Sequence, residues 1–503
     1  MERIKWDRLL PPLVSRGGRP LGLGRLAARG AAISFLAQVI RLVIQLLSLV
    51  VLSRFLSPED VGLVATAMVV IGLALVLQDL GLSSAAIQAT NLSDGQRSNL
   101  MWINVALGSV LTLVTLLAAV PLAGVFGQPA LIPIFQVLAA QFVLASGTAQ
   151  FRANIVRELR FTSLAIAEVS AQIIAVTCAI WLSVLGFGPW ALVLQVMLSQ
   201  VVLTSALVPL GRWPIRWYNH RHSIRALLFF GANLAGTQVL NYLSRSADVF
   251  IIGATLSSSS VGLYNRALQT ITVPLQQLQA PATTVALPVL SKLREQPGRF
   301  SEFLITGQTA LLWGVMSLLA FVSAFSESIV AIVLGPQWTE CAPLIRILAI
   351  GGLFQAAGYA TYWIFLAKGL TSSNLRFDLY FRPLSIGCIF VGSLGGLSGI
   401  ALGFMVSSFI GWVGALLWLS RIVRAPLLEM FLIALRAMIV FLGTSYAAKW
   451  LLGQFGIEAN VLMVTFGLLI YTSTIIALIG VIATLRADFR RALKVLHYLR
   501  GAL

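Results

Sequence analysis

Ser34, Gln38, Arg41, Gln45 and Ser48 recur at spacings of 4, 3, 4 and 3 in a run otherwise built of Leu, Val, Ile, Ala and Phe. Those spacings put all five on one face of a helix. Arg41 lies eleven residues beyond Gly30, where the apolar run begins. At about 1.5 Å per residue that is roughly halfway through a hydrocarbon core of about 30 Å. A charge there costs on the order of 2.5–3.5 kcal/mol on insertion scales, so this face must look onto water or a protein interior. A second run repeats the design with Gln238, Asn241, Ser244, Arg245 and Asp248, clustered within about 140° of a helical wheel. A third places Arg266, Thr270 and Gln277 on one stripe, flanked by Gln269 and Gln276, and a fourth adds Arg346. The chemistry this pattern can do is anion binding, because the guanidinium's planar fork of donors matches phosphate oxygens. Gln38, Arg41, Gln45, Asn241, Arg245, Arg266, Gln277 and Arg346 are therefore the candidate substrate-binding residues. Asp248, an acid in a cationic lining, is the candidate for coupling to an ion. The competing reading is that these groups join helices by hydrogen bonds, that Arg245 bridges to Asp248 three residues on, and that Arg346 snorkels from a span end.

These residues need helices in a bilayer to position them. Of the 503 residues 58% are hydrophobic and 10% charged, with mean hydropathy +0.91. Soluble domains carry about 25% charge. Apolar runs recur along the whole chain, which predicts an all-α polytopic membrane protein. We read about fourteen spans, at roughly 30–53, 61–80, 99–122, 131–151, 162–185, 188–210, 226–252, 263–288, 303–325, 342–366, 379–395, 397–420, 427–448 and 460–485. Tight turns are expected at Gly186–Gly188 and at Gly395–Ser398. Pro274, Pro281 and Pro288 predict a bend in the eighth span. The net charge of +18 would suggest nucleic acid in a soluble protein. Here most Lys and Arg fall on loops of one side, which fits the positive-inside rule with both termini cytoplasmic and no nucleic-acid partner.

The chain also contains a weak copy of itself. LSPEDVGL at 56–63 returns as LSSSSVGL at 256–263, displaced by 200 residues. Pro133, Leu138, Ala139, Gly186, Ala191 and Leu192 reappear 210 residues on, as Pro343, Leu348, Ala349, Gly396, Ala401 and Leu402. A displacement of six spans is even, so the copies are parallel repeats, with a cavity expected between them. The expected organisation is a basic cytoplasmic tail at 1–29, an N-lobe of six spans at 30–211, a cytoplasmic linker at 212–225, a C-lobe of six spans at 226–425, two extra spans at 426–486 and a cytoplasmic tail at 487–503. Asp79 and Glu168 are expected at interfacial span ends, and Arg436, with Glu429 on its own span, in a structural role.

No catalytic constellation is present. There is no phosphate-binding GxxxxGK[ST] loop. Cys178, Cys341 and Cys388 are far apart, and His220 and His222 lie in a basic loop. The reading is therefore a protein that is not an enzyme, with no metal site and no cofactor. Outward loops are too short to house a glycan polymerase or ligase.

LSPEDVGLVA at 56–65, DLGLSSAAIQ at 79–88, DVFIIGATLSSSSVGLYNRALQ at 248–269 and ALPVLSKL at 286–293 resemble the Wzx-like polysaccharide transporters of the multidrug/oligosaccharidyl-lipid/polysaccharide exporter superfamily. The chain looks most similar to the colanic-acid-exporter type. The resemblance implies a MATE/MurJ-like fold in a bacterial cytoplasmic membrane. It implies a flippase that moves undecaprenyl-pyrophosphate-linked oligosaccharide by alternating access. Its partners would be the lipid-linked oligosaccharide, the bilayer, and a polysaccharide polymerase with export machinery. The alternative within the superfamily is a cation-coupled multidrug exporter, which would want an acidic, aromatic cavity.

Overall fold

The computed structural model describes residues 23–500 apart from 90, 91, 212, 221, 223 and 458, with the side chains of 23–32, 226, 233, 234, 237, 280, 281, 284, 285 and 495–500 left aside. The first 22 residues of the basic tail expected at 1–29, three linker positions and the last three residues thus lie outside the described residues. All described regular structure is helical. The chain divides into two compact units, Met1–Ser246 and Ala247–Leu503. The first holds α1 (Leu23–Phe55), α2 (Pro58–Asp79), α3 (Leu82–Gln88), α4 (Asp94–Val125), α5 (Leu131–Arg157), α6 (Phe161–Val184), α7 (Pro189–Gly211) and most of α8 (Arg225–Thr255). The second holds the end of α8, then α9 (Ser258–Lys292), α10 (Pro297–Ala324), α11 (Ser326–Val333), α12 (Cys341–Ala367), α13 (Thr371–Ser393), α14 (Gly396–Ser420), α15 (Leu427–Gln454), α16 (Asn460–Val481) and α17 (Ala483–Arg500).

The first thirteen expected spans each fall on one of these helices, and the fourteenth, 460–485, runs past the end of α16 at Val481 into α17. Among the described residues eleven helical segments are both long and apolar enough to cross a membrane. Of the helices that carry expected spans, those that fall short on apolarity are α8, α9 and α13, and polar side chains are the reason. The eighth span, α9, is one continuous helix through its three prolines. The second span stops where α2 meets two left-handed residues, Leu80 (φ 43°) and Gly81 (φ 67°). Asp79 secures that break, its Oδ1 accepting from Ser83 Oγ at 2.5 Å and from Ser83 N–H at 3.3 Å. The expected tight turn between α6 and α7 is present, with Gly186 at φ 81° and Gly188 at φ 55°; glycine takes such φ without a Cβ clash.

The sequence repeat is a structural repeat of a helix–turn–helix. Ser57 caps α2 by accepting from Asp60 N–H at 3.1 Å, and the Asp60 carboxylate returns the contact from Ser57 N–H at 2.9 Å. Ser257 caps α9 in the same way, accepting from Ser260 N–H at 3.2 Å. Beyond the caps the buried register is shared. Val61, Leu63, Ala67 and Ile71 are buried in the first unit, and Val261, Leu263, Ala267 and Ile271 in the second.

In the second unit α13 and α14 form an antiparallel pair in register along their full length. A Cβ on Gly399 would meet Gly392 O at 2.1 Å, one on Gly403 would meet Cys388 O at 2.5 Å, and one on Gly411 would meet the Phe381 ring at 2.5 Å. At the far end Trp418 Nε1 donates to Ser373 Oγ at 2.9 Å. Small residues let the two backbones approach where no water is available to drive association. The structure also corrects the eleventh span. It begins at Thr371 rather than near 379, so Arg376 and Asp378 belong to the helix and not to the loop before it.

Gly403→Leu should lower the thermal unfolding midpoint of the detergent-solubilised protein, by an overpacking cost of about 1–3 kcal/mol. Circular dichroism melts of the two proteins would show it.

Candidate functional site

In the first unit the cationic stripe of α1 meets an acid from α6. Arg41 Nη1 is ion-paired with Glu168 Oε2. Arg152 of α5 reaches the other oxygen, with Nη2 at 2.8 Å and Nε at 3.2 Å from Oε1. Gln38 Oε1 accepts from Arg41 Nη2 at 2.7 Å, and Gln172 Nε2 donates to the Arg41 carbonyl at 3.2 Å. One carboxylate thus balances two guanidiniums, and the cluster keeps a net positive charge. Glu168 is the most enclosed member, its side chain 14% exposed, whereas Arg152 is 58% exposed. Glu168 is thus engaged by two arginines from other helices. It is eight residues into α6, and helix packing brings it to Arg41. An acid seven residues into the expected span was the available signal, but its partners on α1 and α5 depend on packing. Gln45 lies one turn beyond Arg41 and is exposed.

The candidates on α8 diverge. Arg245 is exposed, and Asn241 is half-buried. Asp248 is 5% exposed, with its Oδ2 accepting from Tyr264 Oη at 3.0 Å. The repeat explains this burial. Ser48, the residue 200 positions earlier, is buried as well, and Val64 is the counterpart of Tyr264. An acid and a tyrosine have replaced a serine and a valine at one packed position. The carboxylate and phenol satisfy each other, which a buried polar group requires.

Arg266 is 6% exposed, and its guanidinium lies 5.7 Å from the centroid of the Trp338 ring. Gln269 Oε1 accepts from it at 3.3 Å. Arg266 thus rests under the loop before α12, held by a cation–π contact. Gln277, further along α9, is half-buried. Arg346 of α12 pairs with Glu327 of α11, and Lys449 Nζ of α15 reaches the same carboxylate at 2.7 Å. This is a second group of two cations on one acid. Arg436 pairs at 2.9 Å with Asp488 of α17, and Arg491 of α17 with Glu429 at 2.9 Å. Together with the Trp313–Phe489 ring contact at 5.4 Å, these pairs fasten α17 to α10 and α15. The structural role expected for Arg436 is this one, with its acid supplied by α17 and not by its own span.

Comparison with known proteins bears on the family and the fold. A family described as polysaccharide biosynthesis proteins matches residues 51–343. The lipopolysaccharide biosynthesis protein WzxC of Escherichia coli (strain K12) is 28% identical over 394 residues, covering 76% of this chain and 79% of that protein. The succinoglycan biosynthesis transport protein ExoT of Rhizobium meliloti (strain 1021) is 24% identical over 411 residues, covering 81% and 82%. Among solved structures, the lipid II flippase MurJ in an inward closed conformation superposes with a TM-score of 0.70 at 13% identity, over 90% of this chain and 100% of that one. An inward-facing multidrug resistance MATE family transporter gives a TM-score of 0.61 at 16% identity, over 78% and 95%. At these identities the structures speak for the fold.

Tyr264→Phe should destabilise the protein by about 1–3 kcal/mol, because it removes the side-chain donor of the buried Asp248 carboxylate and leaves it only the Val249 N–H at 2.8 Å. Thermal unfolding in detergent would register the loss, and Asp248→Asn, which keeps an acceptor for Tyr264, should cost less.

Proposed function

Because this chain belongs to the polysaccharide biosynthesis protein family, whose match spans more than half of it, we propose that it is a flippase for undecaprenyl-pyrophosphate-linked oligosaccharide. It works by alternating access in a bacterial cytoplasmic membrane, with both termini on the cytoplasmic side. It is a transporter and performs no bond chemistry on its cargo.

The observation that carries this reading is the Arg41–Glu168–Arg152 cluster. Two guanidiniums, one of them on the apolar span of α1, share one carboxylate. A pyrophosphate offers the same bidentate acceptor geometry with more negative charge, so it can displace Glu168 from both arginines. The displaced carboxylate then opposes the bound anion and favours its release. Glu168 is in this way a built-in competitor that keeps binding reversible, as transport requires. Asp248, enclosed with Tyr264, is the candidate coupling acid. A cation-coupled drug exporter would present net negative charge to its cargo, and the sign of this cluster disfavours that alternative.

Arg41→Ala is expected to abolish export of the polysaccharide while the protein remains in the membrane. Glu168→Gln should bind undecaprenyl pyrophosphate more tightly than the parent and export more slowly. Polymer measured outside cells that carry each variant tests both, and normal export from Arg41→Ala would sink the reading.

A further inference from the structure

Where α10 begins, α14 ends and α15 begins, the second unit holds an open cavity of about 520 Å³. Its polar lining is Ser301 of α10, Ser420 at the end of α14 and Arg424 in the loop after it. Val423, Leu427 and Leu428 supply apolar wall. All three helices are long and apolar enough to cross a membrane, so the cavity lies at one end of three spans. Exposed side chains show where the hydrocarbon stops. Phe409 and Leu417 are exposed along α14, and Ile439, Leu432 and Leu428 along α15. Such apolar stripes on the outside of a membrane helix face acyl chains. Both stripes end at the cavity, where the exposed Arg421 and Arg424 take over. The cavity is therefore level with the lipid headgroups.

The charge at this surface is positive. The acids next in the chain to lining residues are Glu302, beside Ser301, and Glu429, beside Leu428. Both are taken by α17. Lys494 Nζ lies 4.0 Å from Glu302 Oε1, and Arg491 Nη1 lies 2.9 Å from Glu429 Oε1. Helix α17 thus flanks the cavity and neutralises the carboxylates that would oppose an anion. Arg421 and Arg424 pair with no acid among the described residues, so their charge is left over. A basic recess between membrane helices, at headgroup depth and with apolar wall beside it, is the arrangement that holds an anionic lipid headgroup.

We propose that this cavity binds the headgroup of an anionic phospholipid of the surrounding leaflet. The Arg424 guanidinium donates to the phosphate, and the Ser301 hydroxyl donates to a phosphate or ester oxygen. Ser420 Oγ gives its proton to the Leu417 carbonyl at 2.8 Å, so it accepts from a headgroup hydroxyl. Leu428 meets the upper part of an acyl chain. One guanidinium matches the single charge of a phosphodiester, whereas a pyrophosphate carries more charge than Arg424 balances. A lipid seated here joins the start of α10 to the loop between α14 and α15, and it stabilises the folded unit by binding to it. The site shares no residue with the arginine cluster of the first unit.

The test is thermal unfolding of the full-length protein in a nonionic detergent, titrated with dioctanoyl phosphatidylglycerol or dioctanoyl phosphatidylcholine. Phosphatidylglycerol should raise the parent's midpoint, and phosphatidylcholine should raise it less. Arg424→Gln should weaken the response to phosphatidylglycerol about tenfold in lipid concentration, through loss of one charge-assisted contact. Arg424 is exposed, so without lipid this variant should unfold at the parent's midpoint. Arg376→Gln removes an exposed arginine of α13 that does not line the cavity, and it should respond as the parent does. Equal responses of the parent to the two lipids, or a parental response from Arg424→Gln, would overturn the site. Equal losses from Arg424→Gln and Arg376→Gln would reduce the effect to diffuse surface charge and overturn it too. Inorganic phosphate that stabilises as strongly as phosphatidylglycerol would make the cavity a site for free anions. Undecaprenyl pyrophosphate that displaces phosphatidylglycerol from the Arg41→Ala protein would give the cavity to the cargo. Either result overturns the phospholipid assignment and leaves the transport reading standing.

Discussion

A guanidinium inside a bilayer needs a counter-charge or water, and the polar architecture of this protein follows from that constraint. Arg41 and Arg152 share Glu168, Arg346 and Lys449 share Glu327, and Arg436 takes Asp488. In each case the acid comes from another helix. Each pair therefore fixes a packing arrangement as well as a charge. The carboxylates are fewer than the cations they serve, so the shared groups keep a net positive charge. Where no acid is near, as at Arg266, the ring of Trp338 supplies the compensating field.

Duplication supplied the scaffold on which these groups diverged. The capping serines 57 and 257 and the buried positions after them are the same in both units because they close the same helical hairpin. A packed position tolerates little change in volume, whereas a polar position facing water can change type at small cost to stability. The polar stripes have accordingly moved apart while the apolar register stayed. Where the first unit has Ser48 and Val64 the second has Asp248 and Tyr264, so the acid comes with a donor, and a buried acid without one is costly.

Helix α13 marks the limit of what hydropathy can read. Its first eight residues include three serines or threonines, an asparagine, an arginine and an aspartate. By composition such a stretch is a loop, and the expected span started after it. The glycines of α14 settle the matter, because they seat α13 along α14 as far as Ser373.

The sequence by itself determined the helical class, the positions of the long helices, the internal repeat and the amphipathic stripe that carries Arg41. All of these depend on local periodicity and composition, which a 3.6-residue repeat and a bilayer-length apolar run express directly. Only the tertiary structure decided which acid each cation meets. Arg41 and Glu168 are 127 residues apart, and their pairing depends on the rotation and relative depth of two packed helices. The same holds for Asp248, which turned from Arg245 on its own helix to Tyr264 on the next. A side chain's place on a helical wheel is a property of its own segment, but its partner is a property of the packing.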